Sequence, residues 1–170
     1  SVVSIEGRID ILVNNAGLFH VAGVEETSPD TWDQIIAINQ TSVFLGMHYT
    51  APVMKKQQSG CIINISSAAG LGASKALAYS AAKWAVRGLS KSAAIDLAPY
   101  GIRVNSVHPG LIDTPMIDAF GDDRATMTKR VPLGYIGSCE EVAKLVRFIA
   151  SNDASYSTGH EFMVDGGLKS

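Results

Sequence analysis

The sequence has little of several features that mark large classes of proteins. Among its 170 residues are only two cysteines, Cys61 and Cys139, and their wide separation fits neither a disulfide framework nor a C-x-x-C metal site. No stretch reaches the roughly 18 uninterrupted apolar residues of a membrane span. The 14 basic and 16 acidic residues are scattered along the chain, which predicts no basic surface for nucleic acid. We therefore expect a protein of a reducing cytosol with no membrane and no nucleic-acid partner.

Motifs of several common chemistries are absent as well. The sequence has no G-x-S-x-G nucleophile elbow, no phosphate-binding P-loop and no H-E-x-x-H zinc motif. Its four histidines are far apart in sequence, so no metal site is predicted. The first residues also lack the basic and apolar segments of a secretory signal peptide, which favours a cytoplasmic location.

What the sequence does contain predicts one globular domain over residues 1–170. Hydrophobic residues make up 46% and charged residues 18% of the chain, a balance that excludes disordered and fibrous proteins. A chain of this length buries about 70% of its unfolded surface around a single core. One compact core is therefore expected.

Short apolar runs alternate with longer helical patterns along the chain. The runs end at turn residues and predict four buried strands, over residues 9–13, 61–65, 102–107 and 161–164. Apolar positions at three- and four-residue spacing predict helices over 28–54, over 79–97 and from Ser138, where Glu141 completes a capping box. This alternation predicts an α/β fold with a parallel sheet and helices on both faces. Residues 114–131 show no clean period, and so long a connection is typical of a functional lid.

One helical pattern points to chemistry. Tyr79-Ser80-Ala81-Ala82-Lys83 places a phenol and an ammonium one turn apart on the same face of a helix. Alone, this spacing also fits two unrelated solvated side chains. Its context favours a site, because Ser66 and Ser67 end the preceding strand, and the strand ends of an open parallel sheet are where ligands bind.

Together these segments resemble the short-chain dehydrogenase/reductase family. The resemblance runs through nearly the whole chain and comprises Asn14-Asn15-Ala16-Gly17, Asn39, Ile63-Asn64-Ile65-Ser66-Ser67, Tyr79-x-x-x-Lys83, Ile102-Arg103-Val104-Asn105-Ser106-Val107, Pro109-Gly110, Thr158-Gly159 and Asp165-Gly166-Gly167. Segments 79–84 and 105–110 are most similar to bacterial hydroxysteroid dehydrogenases. The resemblance implies the C-terminal portion of a Rossmann-like, doubly wound parallel sheet, with about four strands.

The resemblance further implies an oxidoreductase that interconverts a secondary alcohol and a ketone by hydride transfer with NAD or NADP, NAD being favoured. The substrate would be a small alcohol or carbonyl compound, steroid-like or otherwise hydrophobic. Tyr79 would be the acid and base, Lys83 would lower its pKa, and Asn39 would support a water path to the lysine. A free phenol titrates near pH 10, so half ionisation at pH 7 needs about 4 kcal/mol of differential stabilisation.

The serine that would donate a hydrogen bond to the substrate oxygen is one of two neighbours. In the family it stands thirteen positions before the tyrosine, which gives Ser66. Aligning the Ser-Ser-Ala-Ala-Gly strand end instead gives Ser67, with one residue fewer in the following loop. Loops absorb deletions more readily than buried strands, in which a one-residue slip turns every side chain to the opposite face. We therefore favour Ser67.

Other matching positions imply contacts with the cofactor. Lys83, together with Tyr79, is implied to contact the nicotinamide ribose. The other residues implied to contact the cofactor are Asn15, Ala16, Gly17, Pro109, Gly110, Ile112 and Thr114. The segment after Thr114 resembles the substrate lid of the family. Tyr135 and Cys139 replace the arginine and proline often found there, so no lid contact is carried over to this chain.

The family begins with a strand and a glycine-rich phosphate-binding turn that this sequence does not contain. We expect about 80 residues to precede Ser1, with a strand that pairs with the first strand predicted here. Unpaired, that strand would be an edge prone to aggregation.

Two other functions use the same residues. One is a non-catalytic binding or assembly module that keeps the fold without holding a dinucleotide. The other is an epimerase or dehydratase, which also uses a Y-x-x-x-K pair. The family usually pairs through its two long helices, here about residues 30–54 and 79–97, so a homodimer or homotetramer is expected.

Overall fold

The computed structural model of the chain describes residues 2–121 and 123–170. Four parallel strands form one sheet in the spatial order β1 (Ile11–Asn14), β2 (Gly60–Ile65), β3 (Ile102–Pro109) and β4 (Glu161–Val164). Each strand pairs with the next one along the chain. Every connection is therefore a crossover that leaves the carboxyl edge of the sheet and returns to the opposite edge. The α/β class and the four parallel strands predicted from the sequence are confirmed.

One short helix precedes β1, and the other helices lie in the connections between strands and cover both faces of the sheet. Their bounds are α1 (Val2–Glu6), α2 (Pro29–Ile36), α3 (Ser42–Gln57), α4 (Leu77–Leu97), α5 (Arg124–Lys129) and α6 (Cys139–Ala150). The side chains of the central strands alternate between the two layers: Ile62 and Val104 pack beneath α3 and α4, whereas Ile63 and Val107 pack beneath α6. In the described ranges of the chain, no helix combines the length and apolarity that crossing a bilayer requires.

The first long helix differs from its prediction. A π-helical turn, Ala37–Thr41, divides it into α2 and α3. The second part continues through Pro52 to Gln57 and ends at Gln58, which has a left-handed backbone with φ 54°. A π-turn inserts one residue into the helix without changing the types of residue around it, so the apolar spacing does not reveal it. The first strand likewise begins at Ile11 rather than at residue 9.

The segment without clean periodicity contains two short helical elements among its described residues, 114–121 and 123–131. It contains the 3₁₀ turn Pro115–Phe120 and then α5. It also has a buried apolar cluster of its own, Leu111, Ile117, Met127 and Val131. Pieces of six residues are too short to display a helical period, which explains why the sequence pattern was uninformative.

A chain of polar side chains, from the half-buried Asn14 to the buried Asn64 and Ser90, crosses the layer beneath α3 and α4. The Asn14 amide donates to Asn64 Oδ1 at 2.8 Å, and the Asn64 amide donates to Ser90 Oγ at 3.0 Å. Gly46 on α3 makes room for this chain, since a Cβ there would collide with the Asn14 side chain. The polar groups are satisfied by one another rather than by water.

Candidate active site

The carboxyl ends of the strands and the segments after them form one edge of the sheet. The start of α4 is fixed over this edge from two sides: Leu77 N donates to Ala22 O at 3.1 Å, and Ser80 Oγ donates to Ala69 O at 2.8 Å. Segments that are far apart in sequence therefore meet at the position where open parallel sheets bind ligands.

Tyr79 lies in the first turn of α4 and is 7% exposed. Its ring packs edge-on against Phe19, with the centroids 4.9 Å apart and the planes at 85°. Burial raises the pKa of the phenol, and a hydrogen bond with the Ser67 side chain lowers it. The hydroxyl is thus placed beside a second hydroxyl in a largely apolar surrounding.

Lys83 follows one helical turn later and is also buried. Its ammonium donates to the carbonyl oxygen of Ile65 at 2.8 Å and lies 5.6 Å from the centroid of the Tyr79 ring. Burial lowers the pKa of Lys83 to about 8. That Lys83 lowers the pKa of Tyr79 stays a prediction; in the structure the ammonium bonds the end of β2.

The two neighbouring serines have different surroundings. Ser66 is buried, and its hydroxyl donates to the backbone oxygen of Lys83 at 2.9 Å. Ser67 caps a short 3₁₀ turn, where its Oγ accepts from Ala69 N at 3.1 Å. It is Ser67, and not Ser66, whose side chain lowers the pKa of Tyr79. The structure therefore brings the favoured serine to the phenol and uses the other to fix the loop to α4.

Asn39 lies in the π-turn and is fully buried. Its amide nitrogen donates to the backbone oxygens of Leu18 and Ile35 at 2.8 and 2.9 Å, and its oxygen accepts from Leu18 N at 3.2 Å. These bonds tie the segment after β1 to the helix. These hydrogen bonds use both the nitrogen and the oxygen of the Asn39 amide. A water path at this position would therefore use the backbone of the π-turn.

The implied cofactor residues divide into two groups along the edge. Asn15, Ala16 and Gly17 follow β1 and are exposed. A Cβ on Gly17 would lie 3.1 Å from Asn39 Oδ1 and 3.8 Å from Lys83 Nζ. Only a residue without a side chain leaves this space beside the ammonium open.

The second group follows β3. Gly110 N donates to Val164 O at 3.0 Å, and a Cβ on Gly110 would lie 2.7 Å from Asp165 Cα. Ile112 forms an isolated parallel bridge with Gly137, and Thr114 caps the next 3₁₀ turn. Pro109, the last residue of β3, and these residues thus define a second wall of the same edge.

Two residues near the site were not singled out from the sequence. Phe19 packs on the Tyr79 ring, but an aromatic residue in a loop gives no periodic signal. His108 is completely buried beside Ser67. The alternation of β3 could have placed His108 on the α4 side of the sheet together with Ser106 and Val104.

Two cavities lie near the site without containing the phenol. One, of about 460 Å³, is bounded by residues 131–133, at the end of the segment that follows β3, and by residues 163–167. The other, of about 340 Å³, lies between residues 72–74 and the outer side of α4, at Trp84. Across residues 2–121 and 123–170, no three histidine, cysteine or carboxylate side chains converge as metal ligands.

Comparison with known proteins decides the family. Residues 1–169 match the family described as "Enoyl-(Acyl carrier protein) reductase". The chain is 46% identical over 162 residues to a "3-alpha-(or 20-beta)-hydroxysteroid dehydrogenase" of Mycobacterium tuberculosis, covering 95% of this chain and 61% of that protein. The chain belongs to the short-chain dehydrogenase/reductase family.

Further members share both sequence and fold with the chain. A cyclopentanol dehydrogenase of Comamonas testosteroni is 48% identical over 165 residues, covering 94% of this chain and 66% of that enzyme. A crystal structure of a gluconate 5-dehydrogenase from Burkholderia cenocepacia, in complex with NADP and tartrate, superposes with a TM-score of 0.94 at 36% identity. The superposition covers 98% of this chain and 67% of the gluconate 5-dehydrogenase. The chain thus spans about three fifths to two thirds of the length of these relatives.

Proposed function

We propose that this chain is the catalytic and substrate-binding part of an NAD(P)-dependent oxidoreductase that interconverts a secondary alcohol and a ketone. The observation that carries the proposal is the arrangement of three side chains at the carboxyl edge of the sheet. The Ser67 side chain lowers the pKa of the buried Tyr79 phenol, and the buried Lys83 ammonium bonds Ile65 O one helical turn away. Relatives named as hydroxysteroid and cyclopentanol dehydrogenases support this reaction.

Tyr79 would exchange a proton with the substrate oxygen. Reduction of a ketone produces an alkoxide that a positioned acid must protonate, and oxidation of an alcohol needs the same group as a base. Burial keeps the phenol protonated at neutral pH, which suits the acid, and the bond with Ser67 offsets part of this effect. Proton transfer at a fixed hydroxyl contributes about 10²- to 10⁴-fold to a rate.

Ser67 would supply the hydrogen bond to the developing oxyanion. Its oxygen accepts from Ala69 N at 3.1 Å. Its single O–H, which faces the Tyr79 phenol, would turn to the oxygen of a bound substrate. A donor fixed before the reaction stabilises charge that develops in the transition state without having to reorganise. The 3₁₀ turn thus presents the hydroxyl in the role that the chemistry requires.

Lys83 would hold the cofactor and pass protons near neutral pH. Its bond to Ile65 uses one of the three N–H donors of an ammonium, which leaves donors for the hydroxyls of a ribose. A pKa of about 8 lies close to a working pH of 7 to 8, where proton exchange is most effective.

A nicotinamide dinucleotide fits the edge described above. The bound cofactor supplies or accepts the hydride. The open space at Gly17 and the donors of Lys83 are the features of this chain that would receive its ribose, with Gly110, Ile112 and Thr114 along the other wall. None of these contacts distinguishes NAD from NADP. Our preference for NAD stays a prediction.

We propose hydrophobic alicyclic alcohols as the substrate class. Tyr79 is surrounded by apolar side chains, among them Ile35, Leu18 and Phe19. Such a wall favours a ring without charges next to the reacting hydroxyl. The names of the relatives, which include a cyclopentanol and a hydroxysteroid dehydrogenase, agree with this class.

The test is an assay of the full-length protein with cyclopentanol and with a 3α-hydroxysteroid, each with NAD and with NADP. We expect Tyr79→Phe to lower kcat by about 10³-fold, because the proton donor and acceptor is lost. The dissociation constant of the dinucleotide should stay unchanged in this variant. Undiminished turnover by Tyr79→Phe would overturn the mechanism.

The same assay separates the alternatives. A protein that binds no dinucleotide and turns over no alcohol would be a binding or assembly module. Product analysis that shows an inverted or dehydrated product, without net reduction of the cofactor, would indicate an epimerase or dehydratase.

We also propose self-association through α3 and α4. These helices expose large apolar side chains, with Phe44 48%, Tyr49 71% and Ile95 78% exposed. Surfaces of this kind mark interaction sites. Light scattering of the full-length protein should give the mass of a dimer or tetramer, and a monomer at all concentrations would contradict the proposal. The cytoplasmic location stays a prediction.

A further inference from the structure

His108 is a completely buried histidine at the carboxyl end of β3. Its side chain faces the α4 layer, where Nδ1 lies 3.3 Å from the backbone oxygen of Ser67 and Nε2 lies 2.9 Å from Ser106 Oγ. The mechanism described above does not use this ring. The contact with Ser67 joins β3 to the residue that lowers the pKa of Tyr79, and the contact with Ser106 lies within β3.

The partners determine where the proton of the ring is. A carbonyl oxygen can only accept, so Nδ1 carries the hydrogen and donates to Ser67. Nε2 is then an acceptor, and the Ser106 hydroxyl donates to it. This arrangement satisfies a neutral imidazole on both nitrogens. Burial lowers the pKa of His108, which agrees with the neutral form.

The bond acts on a residue whose orientation matters. Ser67 has an extended backbone, φ −171° and ψ 158°, immediately before the 3₁₀ turn. Its carbonyl oxygen also accepts from Gly70 N at 2.9 Å. Fixing this peptide fixes the direction of the Cα–Cβ bond, and hence the position of the hydroxyl relative to Tyr79.

We propose that His108 is a positioning residue that holds the Ser67 peptide so that the Ser67 hydroxyl faces Tyr79. The inference builds on the proposed function. It assigns His108 no contact with substrate or cofactor, so His108 acts through Ser67 alone.

The test is a double-mutant cycle in the full-length protein with bound cofactor. His108→Phe removes both hydrogen bonds and should lower kcat by about 10- to 100-fold, as expected when a catalytic group is displaced by about 1 Å. His108→Asn places an amide N–H near the position of Nδ1 and should restore most of kcat. In a Ser67→Ala background, His108→Phe should lower kcat no further, because its effect passes through the missing hydroxyl.

Val107→Ala is the matched control. Val107 precedes His108 on β3, is equally buried and faces α6 on the opposite side of the sheet. This variant should lower the melting temperature without changing kcat. If His108→Phe does not fold, His108→Gln takes its place, since its longer amide reaches toward Ser106 and not toward Ser67.

A readout that does not need turnover separates the two proposals. The ¹³C resonance of the Tyr79 ζ-carbon reports hydrogen bonding of the phenol, and Ser67→Ala should shift it. His108→Phe should shift it in the same direction, with no further shift in the double variant. Equal losses of kcat from His108→Phe in both backgrounds, or an unshifted Tyr79 resonance, would overturn the role of His108. Inactivity of the wild-type protein together with coupled shifts would overturn only the proposed function.

Discussion

The loop after β2 and the segment after β3 leave the same edge of the sheet but are stabilised in opposite ways. The carbonyl oxygens of the first loop accept from side chains of the body of the protein: Lys83 bonds Ile65, Ser80 bonds Ala69 and Arg87 bonds Gly70. The second segment is held by its own apolar cluster around Met127 and Ile117. One region is a polar extension of the core, and the other is a small core of its own.

Under the proposed function, this difference would separate the groups that transfer a proton from the segment that resembles the substrate lid. Groups that transfer a proton must keep their positions within a fraction of an ångström, and the loop of Ser67 meets that need through bonds from α4 and β3. A segment with its own packing can move as a unit without disturbing those bonds. The predictions below are designed to separate the two regions, beginning with the largest effect.

The two serines of the first loop should behave differently. Ser67→Ala should lower kcat by about 10²- to 10³-fold, because a preorganised donor to the oxyanion is lost. Ser66→Ala removes only a bond to the backbone of α4 and should lower the free energy of unfolding by about 1 kcal/mol with little change in kcat. Steady-state kinetics and denaturant unfolding check both. A large loss of kcat in Ser66→Ala with none in Ser67→Ala would reverse the assignment.

The buried ammonium of Lys83, which lies on α4 and bonds the carbonyl oxygen that precedes the first loop, should make stability depend on pH. The pKa of Lys83 is lowered from 10.5 to about 8 in the folded protein. Between these pH values the unfolded chain binds a proton that the folded protein lacks, so the stability contributed at this position rises with pH. From pH 7 to 10.5, the free energy of unfolding of the wild type should gain about 3 kcal/mol relative to Lys83→Met.

Urea unfolding of both proteins across this range measures the difference. Lys83→Met should also be inactive at every pH, since it cannot hold the ribose. A constant stability difference across the range would mean that Lys83 titrates normally in the folded protein.

Two methionines offer a matched comparison of the two regions. Met54 is 0% exposed in the main core, and Met127 is 1% exposed in the apolar cluster of the segment after β3. Met54→Ala should lower the global free energy of unfolding by about 2 to 5 kcal/mol with unchanged kinetics. Met127→Ala should change global unfolding less, raise KM for the alcohol a few-fold and increase hydrogen exchange over residues 115–131. Equal global effects of the two would show that the segment is part of the main core.

The elements that sequence patterns could predict are those that have a regular period or a fixed spacing. The four strands follow from short apolar runs, and Tyr79 and Lys83 follow from a one-turn spacing on α4. The choice of Ser67 came from the argument that loops absorb deletions, and the hydrogen bond to Tyr79 agrees with it. Each of these signals is local in the chain.

The remaining features depend on contacts between distant segments. Asn39 is occupied by the backbone of Leu18 because a π-turn points its side chain there. The hydrogen bond from His108 to Ser67 joins residues 41 positions apart, and neither local sequence predicts it. Leu168, near the far end of the chain, packs against the apolar cluster of Ile117 and Met127, which is likewise a contact between distant segments.

The hydrogen bonds that run from Asn14 through Asn64 to Ser90 also select the register of β1 against β2 during folding. A slip of two residues between β1 and β2 would keep every side chain on its own face, so apolar burial alone could not distinguish the wrong pairing from the right one. In the native register, Asn14 lies opposite Asn64, and the Asn14 side-chain amide donates a hydrogen bond to Asn64 Oδ1. A slipped strand would bury an amide without a partner, at a cost of about 2 kcal/mol or more. Asn14 and Asn64 thus specify the register of β1, whose other residues are all apolar.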